Sequence, residues 1–197
     1  MRHLLIVGLA LAPLPALADC PVAADLAGGV RLISTAGAAE TFTLQNDGTI
    51  EVFFFYAPGM GSRYHLAKGT YLLDHENIVS GEIVENSTAV YKYPVSTEQL
   101  PDPAPGAVWE GQIAVHGDAP RASESQSYAF GETRELDIAG CAYVSLPVIA
   151  TFRNTEISFQ NVYEYLPELG FAYLASSGAI GQDPDYTVEI KLIEAVK

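Results

Sequence analysis

The sequence predicts an all-β fold of antiparallel, curved sheets, arranged as a half-barrel or sandwich, with very little helix. Three observations predict it. Apolar residues recur with a period of two over several segments, as they do in strands with one buried face. Asn, Asp, Gly and Pro punctuate these segments at short intervals. No stretch beyond a turn or two carries the 3.6-residue period of a helix.

The first element, residues 21–26, is short and reads as a helical turn. A strand follows at 30–34, and then 40–45, where Phe42 and Leu44 alternate with Thr41, Thr43 and Gln45. Asn46-Asp47-Gly48 leads into the strand 49–56 and is a hairpin signal, because these residues tolerate the positive φ of tight turns. Strands are further predicted at 69–74, 78–85 and 88–93, and a helical turn at 97–100. Pro101-Asp102-Pro103-Ala104-Pro105-Gly106 lacks three backbone donors and reads as an extended linker over 101–107. It separates a first β-rich half, 19–100, from a second, 108–197, the two forming one compact unit. The second half contains strands at 108–116, 134–139, 142–152, 156–165, 171–176 and 186–192, with an exposed polar loop at 117–126 and a weaker turn at Arg153-Asn154-Thr155.

Residues 1–18 read as a signal peptide. Arg2 supplies a positive start, Leu4 to Leu17 an apolar run, and Ala16-Leu17-Ala18 a small-x-small cleavage site. The run is too short to span a bilayer and contains Pro13 and Pro15, and no second long apolar segment follows. The expectation is a soluble periplasmic or secreted protein without an integral membrane segment. Its two cysteines, Cys20 and Cys141, are then expected to form a disulfide closing a loop of about 120 residues. No Cys-x-x-Cys spacing points to a redox dithiol or a metal pair.

The formal charge of −14, from 24 acidic and 10 basic residues, disfavours nucleic acid and simple docking to anionic headgroups. The acids are dispersed, as on a solvated surface. No nucleophile elbow, zinc-protease helix, phosphate-binding loop or Ca-binding loop occurs. Asp74-His75-Glu76 with His65 is the densest potential ligand cluster, but alternation sends His75 to the face opposite Asp74 and Glu76. No metal or other cofactor is therefore assigned. Ser62, Ser176 and Ser177 lie near turns where they could approach a histidine, though turn chemistry alone accounts for them.

Tyr56-Ala57-Pro58-Gly59-Met60-Gly61-Ser62-Arg63-Tyr64 aligns without a gap to Tyr165-Leu166-Pro167-Glu168-Leu169-Gly170-Phe171-Ala172-Tyr173, a candidate duplication of the two halves. Together with Ile138-Ala139-Gly140-Cys141-Ala142-Tyr143, the second copy resembles uncharacterised secreted β-rich proteins of Gram-negative bacteria over about the last seventy residues. That resemblance implies a periplasmic curved sheet of the kind found in the lipoprotein carriers LolA and LolB, and transfers no functional residues.

Aromatic side chains supply the candidate site. Phe53-Phe54-Phe55-Tyr56 puts large apolar groups on both faces of one strand, and Tyr163, Tyr165, Phe171 and Tyr173 repeat the pattern. Phe53, Phe55, Tyr56, Tyr163, Tyr165 and Phe171 are the candidate lining of a groove that holds an apolar small molecule, a lipid or a segment of an envelope protein. Two alternatives stand beside this non-catalytic reading: a secreted hydrolase with paired carboxylates in the same cleft, and a structural or inhibitory envelope module.

Overall fold

The computed structural model describes residues 20–117, 123–154 and 158–196. The expected signal peptide and cleavage site lie outside them, as do parts of the loop and turn anticipated at 117–126 and 153–155. The described strands are β1 (Val30–Ser34), β2 (Ala39–Leu44), β3 (Ile50–Ala57), β4 (Met60–Ala67), β5 (Tyr71–Val79), β6 (Glu82–Ile83), β7 (Ala89–Lys92), β8 (Val108–Gly117), β9 (Glu124–Phe130), β10 (Arg134–Ile138), β11 (Cys141–Arg153), β12 (Ser158–Leu166), β13 (Phe171–Gly178), β14 (Tyr186–Thr187) and β15 (Ile190–Ala195). Among the described residues the helical content is two 3₁₀ turns, Ala23–Ala27 and Thr97–Gln99. The fold is all-β, as its sequence pattern predicts.

All the described strands join one antiparallel sheet in the order β14-β13-β12-β11-β9-β8-β7-β5-β4-β3-β2-β1-β15, with β10 added to β11 and β6 to β5. Strands of the first and second halves pair at β7–β8, from Ala89 opposite Gly117 to Lys92 opposite Ala114, and again at β1–β15. The sheet is rolled but not closed. Its two ends belong to one stretch of chain: Thr187 lies opposite Ser176 of β13, whereas Ile190 lies opposite Ser34 of β1. Val188 N–H donates to Ala175 O and Thr35 N–H to Glu189 O, each at 2.8 Å, so the C-terminal segment changes partner between residues 188 and 189.

Turn chemistry sets the register. At the β2–β3 hairpin, Gly48 N–H donates to Gln45 O and Asp47 Oδ1 accepts from Thr49 N–H, with Gly48 at φ +84°. The two Tyr-x-Pro segments also end hairpins, but they do so differently. Pro58-Gly59 forms a two-residue connection with positive φ at Gly59, while Pro167 to Gly170 forms a four-residue connection with positive φ at Gly170. Gly61, aligned with Gly170 in sequence, lies within β4 beside a register shift, where a Cβ would come 1.9 Å from Phe54 O. The aligned prolines each open a hairpin connection, whereas the aligned glycines take different places, one inside a strand and one in a turn.

One core cluster joins Val30, Leu32, Phe42, Ile50 and Val52 to Leu166, Leu169, Phe171 and Tyr173. At its centre Phe42 and Phe171 stack with ring centroids 3.9 Å apart, an arrangement that adds about 0.5–1.5 kcal/mol beyond burial. The second cluster packs Tyr71, Tyr128, Phe130, Leu146 and Val148, with Trp109 and Tyr93 at its edge. Gly69 ties the two halves: its carbonyl accepts from Ala172 N–H at 2.8 Å, and a Cβ there would lie 2.0 Å from Gly170 O.

The expected disulfide is present. Cys20 and Cys141 are bonded with Cα atoms 5.6 Å apart, and Tyr143 Oη donates to Pro21 O at 2.9 Å beside them. The Pro-rich segment is pinned to the sheet at its start. Lys68 Nζ donates to Leu100 O and Asp102 Oδ1, and Tyr71 Oη to Pro101 O.

Candidate functional site

The rolled sheet encloses a cavity of about 390 Å³, within the size range of small-molecule sites. Strand alternation decides what faces it. On β3, Ile50, Val52 and Phe54 point inward; Phe54 lines the cavity, and Val52 lies opposite Tyr64, which also does. The wall from the first half adds Leu32, Ala38, Leu66 and Leu72. Phe152, Tyr128, Tyr163, Ala172 and Leu174 face them from the second half. Tyr186, Val188 and Ile190 complete the wall where the C-terminal segment changes partner. Tyr186 is 46% exposed while lining the cavity, so solvent and cavity come close together at this seam.

A few polar groups interrupt the apolar wall. Glu40 shares a strand parity with Phe42 and so points inward, where its Oε1 accepts a 3.1 Å hydrogen bond from Tyr64 Oη. Surrounded by protein, but with some accessible surface towards the open space, Glu40 titrates at about 7; burial raises it and the Tyr64 hydrogen bond partly opposes the rise. Tyr64 is held well above the usual phenol value, first by burial and then by the Glu40 charge. His75 Nε2 and Ser62 Oγ share a hydrogen bond at 3.0 Å on the same wall. Across the cavity, Asn161 Nδ2 donates to Tyr163 Oη at 2.8 Å, and burial pushes Tyr163 up to about 12 despite that bond.

The structure separates the six aromatic residues singled out from the sequence. Tyr163 lines the cavity. Phe53 and Phe55 stack on the opposite face of β3, centroids 6.5 Å apart, sharing their side with Glu51. Tyr56 is 55% exposed at the strand end. Tyr165 packs against the second core cluster, and Phe171 is fully buried against Phe42.

The histidine–carboxylate cluster divides between the faces. His75 looks into the cavity, while His65 Nδ1 lies 2.8 Å from Asp74 Oδ1 and Arg63 pairs with Glu76 on the other face. Among the described residues no group of three or more His, Cys, Asp or Glu side chains is placed to hold a metal ion. Among the described residues lining the cavity, Glu40 is the one carboxylate and neither Lys nor Arg occurs.

Comparison with protein-family models, with curated proteins and with solved structures finds no match to the chain. The cavity's own geometry therefore carries the functional argument.

Glu40, Phe54, Tyr64 and the Ser62–His75 pair are site residues the aromatic pattern misses. A usable signal exists for two of them. Glu40 is an acid on the apolar parity of its strand, and Phe54 follows Ile50 and Val52 in parity, whereas Phe53 and Phe55 follow Glu51. The Ser62–His75 contact has no such signal. The two sit on adjacent strands without being directly opposed, since Ser62 faces Asn77 and Tyr64 faces His75.

Proposed function

We propose that this is a non-catalytic binding protein of the periplasm or the extracellular medium, holding an apolar small molecule in the cavity of its rolled sheet. The observation that carries this reading is the cavity itself. A concave, mostly apolar-lined space of about 390 Å³ interrupted by a few polar groups has the size and lining of a small-molecule site. Enclosure by walls from both halves favours a small molecule over an extended protein segment. The disulfide is at home in an oxidising compartment, which supports an address outside the cytoplasm.

Paired-carboxylate hydrolysis gains no support from the lining, where Glu40 is the one carboxylate among the described residues. Native mass spectrometry of the protein, expressed with its leader and purified without detergent, tests the binding reading. A discrete added mass that organic extraction removes is expected. A bare chain, together with no uptake of uncharged apolar probes, would overturn it.

A further inference from the structure

The cavity's polar groups narrow the chemistry of its occupant, an inference that rests on the binding reading above. Glu40 is the one carboxylate among the described lining residues, and no lysine or arginine joins it. The titratable groups around it are Tyr64 on β4, Tyr163 on β12 and Tyr173 on β13, each of which feels its charge, and His75 on β5 lines the same space. Phenols supply no positive charge, and an imidazole supplies one only by taking up a proton. The ionised carboxylate thus has a hydrogen-bond donor in Tyr64 but no lysine or arginine as counter-ion among the described lining residues.

We propose that the cavity selects an amphiphilic amine: an apolar body against Phe54, Leu66, Leu72 and Leu174, and a protonated amino group seated against the carboxylate of Glu40. Three physical effects favour such a ligand. An ammonium provides the opposite charge that Glu40 lacks, in surroundings where unpaired charge is costly. A ligand carboxylate would instead put two like charges in one low-dielectric space, so that one must take up a proton. The formal charge of −14 adds a long-range field that draws cations toward the protein and repels anions. Ser62 and His75, hydrogen-bonded to one another, add polar atoms elsewhere on the cavity wall.

Calorimetric titration of the full chain at pH 8 with decylamine, decanol and decanoate, all below their aggregation concentrations, separates head group from tail. The expected result is one site, with decylamine about tenfold or more tighter than decanol and decanoate weakest. In Glu40→Gln the amine should lose its advantage while decanol still binds. Tyr64→Phe, which keeps the carboxylate, should retain the amine preference and guards against a folding defect in the first variant. Lowering the pH to 5.5 protonates Glu40 and should shrink the preference in the native chain. Decanoate binding as tightly as decylamine, or an amine preference that survives Glu40→Gln, would overturn the amine assignment and leave the binding reading standing. Failure of all three probes to bind would overturn both.

Discussion

Replacing Glu40 by Gln should make the protein more stable in mildly alkaline solution, against the usual effect of altering a buried hydrogen-bonded group. Folding lifts this carboxyl from its ordinary 4.5 to about 7. Between those values the folded chain holds a proton that the unfolded chain has released, so stability falls as pH rises through the window. Below about 4.5 both states are protonated and the effect vanishes; above about 7 the whole penalty is present. At 1.36 kcal/mol per pH unit the penalty has an upper bound on the order of 3 kcal/mol. Glu40 borders open space that admits water, which reduces the effective cost to about 1–2 kcal/mol. Gln keeps the shape and an acceptor for Tyr64 while removing the charge. Urea denaturation of both proteins at pH 5 and pH 8 measures the difference, with other titrating groups cancelling between them. The variant should gain about 1–2 kcal/mol on the native protein between the two pH values. Parallel pH dependences would refute the burial argument.

Three further outcomes follow from the fold. Converting Cys20 and Cys141 to Ser opens a link of sequence separation 121 and should cost on the order of 4–5 kcal/mol by the loop-entropy model, read from denaturant midpoints under oxidising conditions. Gly69→Ala drives a Cβ into the Gly170 carbonyl at positive φ and should cost several times more than Gly170→Ala, whose Cβ meets nothing, the latter losing only about 1 kcal/mol; equal losses would contradict the docking of the two turns. Phe54→Ala should change the affinity for uncharged apolar probes, whereas Phe55→Ala, on the other face of β3, should leave it unaltered; titration with decanol distinguishes the two.

Strands with ordinary alternation were legible from sequence. The segment 30–34 matches β1, and the Asn46-Asp47-Gly48 turn and both helical turns occur where turn chemistry puts them. Two strands were not legible, for one physical reason. β4 directs Ser62 and Tyr64 inward, and β9 buries Glu124 and Gln126, the latter 1% exposed. Polar residues on an inward face erase the apolar signal, so the start of β9 reads as part of a polar loop and β4 is not predicted. Hydrogen bonds make that burial tolerable: Gln126 Nε2 donates to Glu124 Oε1 at 2.6 Å, and Tyr128 Oη donates to Gln126 Oε1 at 3.2 Å. The site follows the same logic. A run of three phenylalanines shows that β3 is covered on both faces but hides which face borders the cavity. The rolling of the sheet, which brings Tyr163 and Phe54 to one space, depends on pairings between distant strands that local patterns do not encode.

The most direct test of the cavity as the binding site is to fill it. Leu174→Trp places a bulky ring into the cavity from β13, where the side chain it replaces is a lining group. Titration of the native and filled proteins with an uncharged naphthylamine fluorophore should show saturable binding in the first and its loss in the second, with the urea midpoint preserved. Equal binding by a folded Leu174→Trp protein would show that apolar ligands are held elsewhere, and would contradict the account.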